Sequence, residues 1–212
     1  MPTPLTDAIT ALTTYANTVT GASDTTLSDA VATLASGYGQ GGGTELLLNW
    51  DFTQSLTDSV IGRNATLVNA TRDSEGVHFT SDGAYISVGA TPCTNCTYEI
   101  DISAMERQGT AHGRLFMING NDGLCYRSTG YWGAYTSSWT MSTITDPSYF
   151  AGHTFKVVYN KYNSPSFYRD NELFLTIPNK TWTGLWRIGS NGQSYYNMTI
   201  TAVRIYLGDT TQ

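Results

Sequence analysis

The spacing of apolar residues changes near residue 44. Before it they recur every three or four positions: Leu5, Ile9, Leu12, Ala16 and Val19, then Leu27, Ala30, Val31 and Leu34. Such steps put side chains on one helical face, which predicts two short helices over about 5–19 and 26–36. Thr6-Asp7 supplies a cap and a first-turn acid. Thr26 with Asp29 forms a capping box, and Gly37 ends the second helix. Beyond residue 44 the period is two. Leu46, Leu48, Trp50 and Phe52 alternate with Leu47, Asn49 and Asp51, which predicts a half-buried strand over 46–53.

The period of two recurs to the end of the chain. Residues 77–80 and 84–88 read as a hairpin across Ser81-Asp82-Gly83. Over 97–103, Tyr98, Ile100 and Ile102 share one face, and Glu99, Asp101 and Ser103 the other. Further strands fall at 115–119, 154–159, 166–169, 173–177 and 185–189, with Asn171 suited to positive φ in the turn after Arg169. In the last strand, 198–207, Thr199, Thr201, Val203 and Ile205 oppose Ile200, Ala202, Arg204 and Tyr206. Roughly ten to twelve short strands between turn signals predict an all-β domain, a two-sheet antiparallel sandwich.

Three segments follow: a helical anchor or oligomerisation segment, 1–39; a Gly-rich linker, 40–43; and the β-domain, 44–212. Helices this short are marginal alone. The stripe of Leu5, Ile9, Leu12, Val19, Leu27, Val31 and Leu34 therefore needs a partner. Because a glycine hinge separates it from the strands, self-association or docking into a larger assembly is expected.

Composition narrows the partners. With 11 Lys+Arg against 17 Asp+Glu, a net charge of −6 opposes nucleic-acid binding, which depends on neutralising phosphates. No apolar run approaches the ~20 residues that span a bilayer, and no secretory signal pattern opens the sequence. An odd count of cysteines (Cys93, Cys96, Cys125) without an export signal reads as small, part-buried thiols. His78, His112 and His153 have no spacing of a metal set or triad, so structural roles are expected.

The order Trp50-Asp-Phe-Thr, Gly76-Val-His-Phe, Ala84-Tyr-Ile-Ser-Val, Thr97-Tyr-Glu-Ile-Asp-Ile, His153-Thr-Phe-Lys-Val-Val-Tyr, Phe167-Tyr-Arg-Asp-Asn-Glu-Leu and Ile200-Thr-Ala-Val-Arg-Ile-Tyr resembles the concanavalin A-like jelly roll in its laminin-G-like form, over about 44–209. A helical leader and glycine linker ahead of such a domain resembles phage and prophage structural proteins of Gram-positive gut bacteria. That resemblance implies a virion component of tail, fibre or head-decoration type, made in the bacterial cytoplasm, homotrimeric and held to other virion proteins through its leader. Its partners would be glycans of a host surface or mucus. A purely architectural decoration protein is the alternative. The jelly-roll resemblance also allows a rim calcium held by Asp and Asn oxygens, with Asp82, Asn121, Asp122 and Asp170 in loops; no other cofactor is implied.

Related jelly rolls include glucanases with a Glu-x-Asp-x-(x)-Glu strand. Glu99 and Asp101 supply its first two acids, but Ser103 or Ala104 stands where the second catalytic carboxylate belongs. Retaining hydrolysis needs two carboxyls, so no enzyme is expected. The aromatic tract from Leu124 to Met141 is the better clue, because rings bury the flat C–H faces of sugars while polar groups hold the hydroxyls. Tyr126, Arg127, Tyr131, Trp132, Tyr135 and Trp139, with Glu99 and Asp101, are the glycan-binding candidates. At least half of the tract's five rings are expected in the core.

Overall fold

In the computed structural model the described residues are 45–87, 96–109, 112–118, 122–135, 138–159, 165–177, 186–189 and 196–208, with 9, 10, 13, 14 and 26. The chain divides into two compact units, Met1–Thr44 with Gln212, and Glu45–Thr211. In the first, Ile9, Thr10, Thr13 and Thr14 have helical backbone. The Thr13 and Thr14 hydroxyls donate to carbonyls one turn back, each at 2.9 Å. The rest of both expected helices, including Leu5, Leu12, Val19, Leu27, Val31 and Leu34, lies outside the described residues, as does the linker.

The second unit is a sandwich of two antiparallel sheets. One contains, in spatial order, β13 (Glu172–Thr176), β12 (Ser166–Arg169), β11 (His153–Tyr159), β6 (Cys96–Arg107), β15 (Tyr196–Leu207), β4 (Gly76–Phe79) and β3 (Ala70–Asp73), with β1 (Glu45–Asp51) also paired to β15. The other runs β10 (Trp139–Met141), β9 (Trp132–Tyr135), β8 (Asp122–Tyr126), β7 (Gly113–Ile118), β14 (Trp186–Gly189), β5 (Tyr85–Ser87) and β2 (Thr66–Val68). Rings from the two sheets meet in the core. Tyr98 lies 6.3 Å from Phe116, Phe116 6.0 Å from Phe155, and Tyr196 stacks on Trp132 at 5.8 Å. The alternation in β6 is as expected, with Tyr98, Ile100 and Ile102 buried.

Three expectations are corrected. First, β4 and β5 do not form a hairpin. After the Ser81–Ala84 turn, where Gly83 has φ +73°, the chain passes to the opposite sheet, and β4 pairs instead with β3. Val77, Phe79, Ala84 and Ile86 are all buried, because both strands face the shared interior. Second, β15 does not keep one alternation. Its register with β6 shifts around Thr199–Ala202, and this bulge lets Ile200, Val203 and Ile205 all reach the core. Third, Asp170 rather than Asn171 holds the left-handed position after β12, at φ +53°. Its carboxylate accepts from the Thr154 N–H at 3.0 Å and sits 2.8 Å from His153 Nδ1, which ties the turn to β11.

The cysteines also differ from expectation. Cys96 is disulfide-bonded, with its partner outside the described residues. Cys125 is a free, buried thiol, and burial pushes it up to about 12.

Candidate functional site

The sequence candidates divide among three places. Trp132 and Tyr126 belong to the core. Trp132 is fully buried between Tyr196 and the edge of Phe150, and its Nε1–H donates to the Asp146 carbonyl at 2.8 Å. The Tyr126 hydroxyl donates to the Thr145 carbonyl at 2.6 Å. Both polar tips are satisfied by backbone, as buried rings require, and neither side chain offers a surface to a ligand.

Glu99 and Asp101 lie on the outer face of the eight-stranded sheet. Register sets Glu99 opposite Lys156 on β11 and Arg204 on β15. Lys156 Nζ is 2.8 Å from the Glu99 carboxylate, and Arg204 Nε 3.2 Å from it. Arg204 also reaches Asp101 at 2.8 Å, and Asp101 accepts from the Thr154 hydroxyl at 2.7 Å. Lys156 donates to Asn171 at 2.9 Å. Burial, then the Glu99 charge, raises the Tyr206 phenol above its ordinary value. Both carboxylates are thus held by cations across strands, an arrangement that fixes register.

The remaining candidates gather on the outer face of the seven-stranded sheet. Register lines up Arg187, Met117, Gly123, Tyr135 and Trp139 on successive strands, and Arg114, Cys125, Gly133 and Met141 beside them. Antiparallel partners share a face, so these residues lie on one side of the sheet. Beyond β8 the Arg127 N–H donates to the Tyr131 carbonyl at 2.8 Å, which brings Tyr131, 43 % exposed, opposite Arg127. Glycine at 123 is a steric necessity: a Cβ there would stand 1.9 Å from the Phe116 carbonyl oxygen.

Rings and guanidinium groups pack together on this face. Tyr135 and Trp139, both half-buried, have centroids 5.2 Å apart. The Arg127 guanidinium lies 4.5 Å above the Trp139 ring, and its Nη1 is 3.9 Å from the Met141 sulfur. Arg114 reaches the Met117 sulfur at 3.9 Å, and Arg187 lies 4.5 Å over the Tyr85 ring. His112 sits 5.5 Å from Trp139, and its Nδ1 accepts from the Ser128 N–H at 3.2 Å. The proton of the neutral ring is therefore on Nε2. Burial, then the charges of Arg127, Arg114 and Arg107, holds His112 below its ordinary value. Sequence reasoning expected only a structural role for His112 and did not single out Arg114, Met141 or Arg187. The available signal was an arginine between two large apolar residues in a short strand, as in Trp186-Arg187-Ile188.

Among the described residues no group of three or more His, Cys, Asp or Glu is arranged to hold a metal ion. Asn121, one of the calcium candidates, lies outside them.

Neither a protein-family model nor a curated protein matches the sequence. Solved structures do match in fold. The sialidase of Trypanosoma rangeli is similar over 77 % of this chain and 30 % of its own, at 14 % identity and a TM-score of 0.59. Domain 4 of AbnA, a GH43 extracellular arabinanase from Geobacillus stearothermophilus solved with arabinotriose, matches over 78 % of this chain and 93 % of its own, at 13 % identity and 0.56. Botulinum neurotoxin type C, whose cell entry depends on two ganglioside molecules, matches over 78 % and 48 %, at 14 % and 0.52. The chain thus spans under a third of the sialidase's length and nearly all of the arabinanase domain's. At these identities the likeness is one of jelly-roll-like β-sandwich fold.

Proposed function

We propose that this chain is a non-enzymatic carbohydrate-binding protein, with its glycan site on the outer face of the seven-stranded sheet. The observation that carries the reading is the cluster of Tyr135, Trp139 and exposed Tyr131 with Arg127, three rings and a guanidinium that the core does not use. Apolar rings beside fixed donors suit the alternating C–H and hydroxyl surface of a sugar. The arabinotriose and ganglioside associations of two fold neighbours agree with it. A non-catalytic role is favoured because Glu99 and Asp101 are engaged by Lys156 and Arg204. The helical period of the sequence ahead of the β-domain favours display from a larger assembly, and we propose a phage virion protein acting as an attachment or decoration component.

A glycan array probed with the full chain, with and without calcium, tests this. Trp139→Ala should abolish the strongest signals while leaving the thermal midpoint near wild type. Trp132→Ala should instead cost about 3–5 kcal/mol of stability, as for a large core ring. Wild-type binding to no glycan, with association only to virion particles, would favour a purely architectural role.

A further inference from the structure

We infer that the ligand taken by this face is an acidic saccharide, one bearing carboxylate, sulfate or phosphate groups, rather than a neutral one. The inference rests on the glycan-binding reading above and deepens it. It begins from an asymmetry between the two sheets. On the eight-stranded sheet, three strand cations have carboxylate partners: Lys156 with Glu99, Arg204 with Glu99 and Asp101, and Arg169 with Glu172 at 3.8 Å; Arg72 donates instead to the Phe52 and Thr53 carbonyls. On the seven-stranded sheet the strands carry a single acidic residue, Asp122, out of phase with Gly123 and Cys125. Among the described residues no carboxylate pairs with Arg127 or Arg187, which lie on the rings of Trp139 and Tyr85.

A protein of net charge −6 has acids to spare, so their scarcity on one sheet leaves a local positive field. The depressed proton affinity of His112 registers that field, since burial and three arginines act on it in the same direction. A guanidinium is planar and presents its N–H groups along its edge, the geometry that grips carboxylate, sulfate or phosphate by two parallel bonds. A neutral sugar would leave those charges uncompensated. Arg127 and Arg187 stand two strands apart and about four residues apart along them, roughly 10 Å by 13 Å. An extended acidic oligosaccharide, not a single ring, meets both.

The test is titration of the full-length protein with size-matched tetrasaccharides: oligogalacturonate for carboxylate, a chondroitin sulfate fragment for sulfate, a phosphorylated mannotetraose for phosphate, and arabinotetraose as the neutral comparison. At least one acidic oligomer should bind about tenfold or more tighter than the neutral one, less so at high salt. The ranking of the three acids identifies the anionic group. Arg127→Gln and Arg187→Gln should each reduce that preference, whereas Arg127→Lys should keep only part of it. A readout without any variant is the titration of His112 by NMR: a bound anion should raise its proton affinity, and a neutral ligand should not. Equal or better binding of arabinotetraose, lost in Trp139→Ala, overturns the acidic preference but leaves the glycan-binding reading standing. Binding of no saccharide overturns both.

Discussion

Single carboxylates do much of the work of shaping loops here. Asp58 is 2 % exposed and accepts from the backbone N–H groups of Asn49 at 2.5 Å, Val60 at 3.1 Å and Ile61 at 2.7 Å. These bonds tie β1 to a loop that carries Val60 and Ile61 outward, 44 % and 62 % exposed. Burial alone would raise the Asp58 pKa, but the backbone donors outweigh it and the net shift is downward. A depressed folded value means that the stabilisation is complete above the unfolded pKa, near 3.9, and is lost as pH falls through the folded value. Asp58→Ala strands several buried donors and should cost about 1–3 kcal/mol. Urea melts of the variant should show that deficit at neutral pH, and it should shrink in strong acid. A variant as stable as wild type at pH 7 would show that the loop holds itself.

At the scale of strands, the Glu99 ladder links three neighbours, β11, β6 and β15. Removing the Glu99 charge from this largely buried network weakens the compensation of its cations, although Arg204 keeps Asp101. Glu99→Gln should therefore lower stability by about 3 kcal/mol, toward the low end for buried pairs because Arg204 keeps partial solvent access. A double-mutant cycle with Arg204→Met should show the two losses to be strongly non-additive. Wild-type release of reducing sugar from β-glucans, absent in Glu99→Gln, would instead make Glu99 catalytic. Much of this layout was legible in the sequence. The two-residue periods of β6 up to Ile102 and of β11 are strict, and pleated strands translate period directly into face. What stayed hidden was set by non-local geometry. β2 and β3 are three and four residues long, too short to show a period. The bulge in β15 reverses phase in mid-strand, and β4 and β5 separate into different sheets because a turn's direction depends on the layer it must reach. The site divided the same way. Aromatic content marked Leu124–Met141 as important, but only strand pairing sends Trp132 inward and Trp139 outward.

For the molecule as a whole, the question is how the proposed site on the outer face of the seven-stranded sheet would achieve useful binding. A flat surface touches few sugar atoms and supports only modest single-site affinity, while a surface coated with one glycan offers many copies at once. Linking modules makes each later contact intramolecular, and avidity can exceed single-site affinity by roughly 10²–10⁴-fold. The sequence ahead of residue 44 suggests a means of linking: the helical period of Leu5, Ile9, Leu12 and Val19, continued by Leu27, Val31 and Leu34, would give an apolar stripe on helices too short to stand alone, and such a stripe needs a partner. If the stripe buries against two further copies, the full chain is a trimer in light scattering and binds an immobilised acidic polysaccharide at least about 10²-fold tighter than residues 44–212. Both forms should bind a free tetrasaccharide with the same affinity, because the site itself is unchanged. A monomeric full chain, or equal retention of both forms on the polysaccharide, would mean that the stripe docks elsewhere and that multivalency, if present, is imposed by the assembly that carries it.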